Sequence, residues 1–292
     1  MDEEIKDRLM QDGMDELLAT HFAHLFIRDP IVIFSEDLKE LDLNKADHFE
    51  NLQSTNWQHM RFKPPPPEKE EIGWRVEFRS MEIQMTDFEN AAFSIFIVLV
   101  TRAILSFDLN FYIPIQRTTE NMETAHARNA VLDRKFYFRK NPFSPMVRRQ
   151  HSSSGSNTSS AYNTPPPSPP LSPVDSEYEL MTISDIINGS ADGSFPGLIP
   201  LVESYLNSVN IDVETRCSLA RYLDLIRKRA NGTLWTGARW VREFVAKHPA
   251  YKQDSAVSEE VCYDLIKAVD EMSVKEGVHG SVGWEMLRGR KT

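Results

Sequence analysis

The chain has 292 residues, of which 41% are hydrophobic, and it carries a formal net charge of −10. This composition is typical of a globular protein with one sizeable core or two smaller ones. The acidic balance argues against nucleic acid or an anionic membrane as the main partner. The two cysteines, Cys217 and Cys262, lie in separate helical patterns. They suggest neither a disulfide framework nor a zinc site, so we expect a reducing, cytoplasmic location.

Two apolar patterns in the first 110 residues predict helices. Apolar residues recur at intervals of three and four through residues 1–27, which predicts one amphipathic helix that ends before Asp29 and Pro30. The longest apolar run, residues 91–100, is well short of the roughly 20 residues that span a bilayer, so we expect a buried helix there. Thr86 and Glu89 have the spacing of a capping box, which places the start of this helix at Asp87.

Two segments between these helices are predicted to be strands. The first, "NWQHMRFKPPPP", alternates apolar residues with a polar, basic face before the prolines end it. The second begins at Trp74 and places Arg75, Glu77 and Arg79 on one face. Its apolar phase shifts by one residue near Ser80, which predicts a β-bulge. The bulge returns Glu82 and Gln84 to the charged face. The opposite face is predicted to be core and consists of Trp74, Val76, Phe78, Met81, Ile83 and Met85.

The charged strand face has two interpretations. The alternation alone favours a solvated outer face whose charges pair across strands. The apolar helix that follows directly favours a central strand, where charges line a cavity. The neighbouring strand has a matching face, formed by Trp57, His59, Arg61 and Lys63. Together the two faces predict a concave, positively biased surface suited to Mg²⁺ and nucleotide phosphates.

The second half of the chain begins with a change in composition. Between Asn141 and Glu177 the sequence is rich in Ser and Pro and has too few apolar side chains to offset its ordering entropy, so we expect disorder. From Tyr178 onward the signals are helical, with helices that close on Gly232, Pro249 and Gly277. The run at residues 227–229 is interpreted as a solvated helix C-terminus.

Four long motifs resemble the catalytic subunit of eukaryotic glutamate–cysteine ligase. They are "DHFENLQSTNWQHMRFKPPPP", "IGWRVEFRSMEIQMTDFENAAF", "FPGLIPLVESYL" and "RWVREFVAKHPAYKQDS". The resemblance covers nearly the whole chain outside the Ser/Pro insert and corresponds to the C-terminal half of the family's chain. It implies an α+β fold in which an antiparallel sheet forms a glutamine-synthetase-like catalytic funnel. Residues 1–140 would be the C-terminal part of that sheet domain, residues 141–177 an insert, and residues 178–292 a helical region.

The resemblance also implies an activity. Such a ligase uses ATP and Mg²⁺ to join the side-chain carboxylate of glutamate to the amine of cysteine, which gives γ-glutamylcysteine for glutathione synthesis. A modifier subunit is the implied protein partner. By motif position, Glu77 resembles a metal ligand, Arg79 the arginine that faces glutamate and the transferred phosphate, and Trp57 a wall of the amino-acid pocket. The polar strand face contains further residues that we expect to support these three: Arg61, Lys63, Arg75, Glu82 and Gln84.

The sequence departs from the family in two respects. Ser80 stands where the family pattern has proline, so the backbone bend at the predicted bulge is less enforced. The upstream half of the family's chain, which supplies most metal-binding carboxylates, has no counterpart in these 292 residues. The alternative function is therefore a non-catalytic fragment that acts as a partner-binding module of the ligase.

Overall fold

The computed structural model describes residues 1–25, 35–36, 39, 49, 51–52, 61–63, 65–66, 68–77, 81–144 and 177–279. These residues form helices and two small antiparallel sheets, which confirms the α+β class. The chain divides into two compact units, residues 1–83 and residues 84–292. The sequence-based domain boundaries at residues 140 and 177 stay a prediction.

The described residues of the first unit include two longer helices, a short 3-10 helix (Glu70–Ile72) and a two-stranded ribbon. The longer helices are α1 (Glu3–Gln11) and α2 (Glu16–Leu25), and the strands are β1 (Arg61–Lys63) and β2 (Arg75–Glu77). The prediction of one continuous N-terminal helix is wrong. The chain turns at Gly13, whose φ of +98° lies outside the helical region and suits glycine. The carboxylate of Asp15 then accepts hydrogen bonds from the amides of Leu17 and Leu18, which starts α2.

The second unit is mainly helical. Its elements in chain order are α3 (Asp87–Phe107), α4 (Ile115–Ala125), α5 (Ala130–Asp133), β3 (Lys135–Arg139), β4 (Tyr178–Thr182), α6 (Ile183–Asn188), α7 (Leu198–Ser208), α8 (Val213–Ala230), α9 (Gly237–Lys247) and α10 (Glu259–His279). The three helices predicted after Tyr178 are present as α8, α9 and α10. Strand β4 corrects the expectation that the chain is helical from Tyr178 onward.

Helix α3 is the centre of the second unit's core. Its capping box is formed in both directions, between the hydroxyl of Thr86 and the amide of Glu89 and between the Glu89 carboxylate and the Thr86 amide. One face of α3, including Ala92 and Phe96, packs against α7 and α8. The opposite face is exposed at Val98 and Leu105, so the predicted burial is confirmed for one side only.

By length and apolar composition, α3 also qualifies as a candidate membrane span among the residues that the structure describes. The core helix of a globular protein passes the same test. The fully buried Glu89 in its first turn is ion-paired with Arg229 of α8, and one face of α3 packs against α7 and α8, although only 17% of its apolar window is buried. Both features anchor the start of α3 within the second unit.

Strands β3 and β4 form a hairpin at the two ends of the Ser/Pro insert. Arg139 pairs with Tyr178, and the Lys140 amide donates to the Glu177 carbonyl at 2.9 Å. Residues 145–176 of the insert lie outside the described residues. The other edge of β3 is closed by α4, because the side-chain amide of Asn121 accepts from the Tyr137 N–H (2.7 Å) and donates to the Tyr137 carbonyl (2.9 Å).

An arginine–tyrosine cluster joins α4 to the same hairpin. The guanidinium of Arg117 lies 4.7 Å from the ring centre of Tyr137 and donates to the Tyr178 hydroxyl at 3.2 Å. It also forms an ion pair with Glu120 at 2.8 Å. The hydrogen bonds to Tyr178 and Glu120 raise the pKa of Arg117 above its ordinary value. The cluster holds α4 against the hairpin on the side that Asn121 closes.

Candidate functional site

The two predicted strands pair, and their charged positions fall on one face. β1 and β2 are antiparallel, with Arg61 opposite Glu77 and Lys63 opposite Arg75. Residues directly opposite each other, and residues two apart along a strand, share a face of a sheet. The backbone register therefore assigns positions 61, 63, 75 and 77 to a single face. This is the pairing that the matching patterns of the two segments predicted.

An ion pair crosses this face diagonally. The Lys63 ammonium contacts the Glu77 carboxylate, and the two side chains are 35% and 22% exposed. Partial burial strengthens such a pair relative to a fully solvated one, where the contribution is only about 0–1 kcal/mol. Glu77 is the less exposed partner, and it is the residue that resembles a metal ligand. The ion pair thus gives this carboxylate a cation as its neighbour.

The opposite face is not the core that the alternation predicted. Trp74 and Val76 are 62% and 54% exposed, and Ile83 is 89% exposed. Strands of three residues in a two-stranded ribbon bury little surface by themselves, because an apolar face needs a further strand or a helix to cover it. Residues 81–84 are not part of a strand. The Trp74 ring does contact Phe49 edge-on, with the ring centres 6.4 Å apart.

The structure describes only some of the remaining predicted site residues. Trp57 and Arg79, as well as Ser80 at the predicted bulge, lie outside the described residues. Arg75 and Glu82 are exposed, whereas Gln84 is half-buried. Their roles stay predictions.

A magnesium site needs several oxygen ligands. Among the residues that the structure describes, no group of three or more His, Cys, Asp or Glu side chains is placed to hold a metal ion. Glu77 supplies a single carboxylate, and that carboxylate is already ion-paired with Lys63. The described residues therefore do not by themselves fit Mg²⁺.

Sequence reasoning missed two interactions at the start of α3. Asn90, in the first turn of α3, binds the backbone of Gln84 through its side-chain amide. Glu89 is fully buried and forms an ion pair with Arg229 of α8. The capping-box spacing pointed to Glu89, but only the fold could show that Arg229 meets it.

The family model for glutamate–cysteine ligase matches residues 1–272. The chain belongs to the glutamate–cysteine ligase family. It is 64% identical to a Neurospora crassa glutamate–cysteine ligase, over 94% of this chain and 40% of that protein. It is 52% identical to the Rattus norvegicus and 51% identical to the Homo sapiens glutamate–cysteine ligase catalytic subunit, over 94% of this chain and 41% of each relative. The chain of this ligase family member thus spans about 40% of the length of the curated relatives that it matches.

Proposed function

We propose that this chain provides part of an ATP-dependent ligase site that joins the side-chain carboxylate of glutamate to the amine of cysteine. The observation that carries the proposal is the pairing of β1 with β2, which assigns positions 61, 63, 75 and 77 to one charged face in a member of this family. An antiparallel funnel of the glutamine-synthetase type would extend that face. Cytoplasmic γ-glutamylcysteine synthesis, the first step towards glutathione, is the corresponding role.

The chemistry assigns a task to each residue type. The side-chain carboxylate of glutamate attacks the γ-phosphorus of ATP, which breaks the bond to the bridging oxygen, gives an acyl phosphate and releases ADP. The amine of cysteine then attacks the acyl carbon, phosphate leaves, and the amine loses a proton. Arg79 would offset the charge of the transferred phosphoryl group, because a guanidinium binds phosphate oxygens in a fixed fork. Trp57 would form a wall of the amino-acid pocket.

Glu77 alone would not hold Mg²⁺. One carboxylate that is paired with Lys63 does not make a metal site, so Glu77 would supply at most one ligand. Lys63, Arg61 and Arg75 would make the face positive and so attract anionic substrates. Glu82 and Gln84 would add polar contacts at the end of the same segment.

The test is a chimaera in which residues 1–292 replace the matching segment of the Neurospora crassa relative. ADP release is measured with glutamate and cysteine together and with each alone. We expect release that requires both amino acids and forms one γ-glutamylcysteine per ADP. A folded chimaera that lacks this activity, when the unaltered host ligase has it, contradicts the proposal.

A second candidate is a partner-binding module, and the exposed apolar side chains of Trp74, Val76 and Ile83 favour it. Exposed apolar surface of this kind marks contact with another polypeptide. The partner would be the rest of a ligase chain or a modifier subunit. The test is co-expression of residues 1–292 with the Neurospora crassa ligase from which the matching segment has been deleted. Co-purification with restored activity supports the module, whereas a monodisperse, active monomer of residues 1–292 alone rules it out.

A further inference from the structure

Helix α3 carries two stripes of side chains on opposite sides, and both have the same spacing. The buried stripe consists of Ala92, Phe96, Leu99 and Ala103. The second stripe, which we call the outer stripe, consists of Ser94, Val98, Thr101 and Leu105. Steps of four, three and four residues keep each set on one side of a helix with 3.6 residues per turn. The buried stripe packs against α7 and α8, so the outer stripe points away from them.

The outer stripe is exposed although it is apolar. Val98 and Leu105 are 58% and 72% exposed. The hydroxyls of Ser94 and Thr101 each donate to the backbone carbonyl four residues earlier, at 2.9 Å in both cases. Because these two protons are bonded within the helix, neither hydroxyl needs an acceptor outside it. The stripe therefore presents mainly carbon atoms to its surroundings.

The solvent-facing side of a helix ordinarily carries charged residues. Helix α8 follows this rule, since its exposed residues include Glu214, Arg216 and Arg221. Between residues 91 and 107, α3 has a single charged residue, Arg102. It lies beside the outer stripe, because one residue advances about 100° around a helix. The outer stripe thus has the apolar, charge-poor composition of a contact surface.

The length of the relatives indicates what covers this surface. The chain spans about 40% of the curated relatives that it matches, so most of each relative's chain lies outside the matched region. Permanent interfaces are more hydrophobic than those of partners that exchange. A stripe without charges therefore fits a permanent neighbour, such as another part of the same ligase chain, better than a transient partner.

A lipid surface fits the outer stripe less well. The first turn of α3 is anchored in the protein by the buried ion pair between Glu89 and Arg229. The buried stripe also ties the helix to α7 and α8. The formal net charge of −10 opposes binding to anionic lipid.

We propose that the outer stripe is the surface against which the remainder of a ligase chain packs, that is, the part that the relatives have outside the matched region. The inference rests on that part of the proposed function which makes this chain one segment of a larger ligase. The facing surface would be an apolar helix or sheet face. It would place no charge opposite Val98 or Leu105, because a charge there would lose its hydration without gaining a partner.

The test measures thiol labelling at two matched serines, Ser94 of the outer stripe and Ser204 of α7. Both are exposed, and both hydroxyls donate to the carbonyl four residues earlier at 2.9 Å. Ser94→Cys and Ser204→Cys are made separately in residues 1–292 and in the chimaera described above. The exposed Cys217 and Cys262 are replaced by serine. The rate of modification by iodoacetamide at each position is read by mass spectrometry.

We expect the two thiols to react at similar rates in residues 1–292. In the chimaera, labelling at position 94 should slow by about tenfold or more, because a covered thiol reacts only when the interface opens. Labelling at position 204 should not change. Leu105→Glu provides a second measurement: it should leave the thermal midpoint of residues 1–292 unchanged and lower that of the chimaera, where it buries a charge. The co-expressed pair described above allows the same comparison without joining the two parts.

Equal labelling at positions 94 and 204 in a folded, active chimaera overturns the inference and leaves the proposed function standing. Slow labelling at position 94 already in residues 1–292 also overturns it, because the cover then comes from this chain or from a second copy. Protection that requires added vesicles of phosphatidylcholine and phosphatidylserine, or a modifier subunit, overturns it in favour of that partner. A chimaera that protects position 94 but lacks ligase activity supports the inference and contradicts the proposed activity.

Discussion

We expect the protein to lose stability when the buried ion pair between Glu89 and Arg229 is broken. Arg229→Met keeps most of the aliphatic volume of the side chain but leaves the Glu89 carboxylate buried without its cation. Removing one partner of a buried pair costs about 3–5 kcal/mol of unfolding free energy. The two donors of Thr86, at 3.2 and 3.3 Å from the carboxylate, remain and keep the loss within that range. The lost hydrogen bond to the Trp235 carbonyl accounts for about 1 kcal/mol of it.

The measurement is urea unfolding of residues 1–292, followed by far-UV circular dichroism. The matched control is Lys228→Met in the same helix turn, because the Lys228–Asp224 pair is partly exposed and joins residues four apart. Its loss should cost less than about 1 kcal/mol. The double variant Glu89→Gln with Arg229→Met removes the uncompensated charge and should recover about 1–3 kcal/mol relative to Arg229→Met. Equal losses from Arg229→Met and Lys228→Met, or a double variant less stable than Arg229→Met, would show that burial of an unpaired Glu89 carboxylate does not cause the loss of stability.

Two further predictions concern the second unit. Gly197 has a φ of +86°, and an added Cβ would lie 2.3 Å from the Gly189 nitrogen. Gly197→Ala should therefore lower the free energy of unfolding by about 3 kcal/mol or more, measured by thermal unfolding. The control Gly193→Ala should cost roughly 1–2 kcal/mol, because its Cβ would meet no atom within 4 Å. Equal costs would show that residue 197 does not approach the Gly189 backbone this closely. Asp212 caps α8, and hydrogen bonds from Thr215 lower its pKa below the usual 3.8. The stabilisation of the protein by the ionised Asp212 carboxylate is fully present above pH 3.8 and disappears as the pH falls through the lowered pKa. Asp212→Asn should therefore flatten the dependence of the unfolding free energy on pH between about pH 5 and pH 2. The same pH dependence in the variant and the parent would contradict this.

Local patterns predicted the elements whose signals lie within a few residues. The Thr86–Glu89 capping box marked the start of α3 correctly, because both hydrogen bonds join residues three apart. The matching alternation of the two strand segments anticipated the pairing of β1 with β2. The helices that end near Gly232 and Pro249 followed from periodicity and stop signals.

Features that depend on distant contacts could not be predicted in this way. The run at residues 227–229 was expected to be a solvated helix end, yet Arg229 is buried because Glu89, 140 residues away, neutralises it. The face of Trp74 and Val76 was expected to be core, yet alternation shows only which residues share a face and not whether another element covers it. β4 was missed because its partner, β3, precedes the long insert.

The claim that the charged strand segment takes part in ligation is tested most directly by Arg79→Ala in the Neurospora chimaera. Arg102→Ala, which removes an exposed arginine of α3, is the matched control. We expect Arg79→Ala to fold with the same thermal midpoint as the parent and to lose the ADP release that requires both glutamate and cysteine, while Arg102→Ala retains it. Turnover by Arg79→Ala at the rate of Arg102→Ala would show that Arg79 takes no part in the ligation.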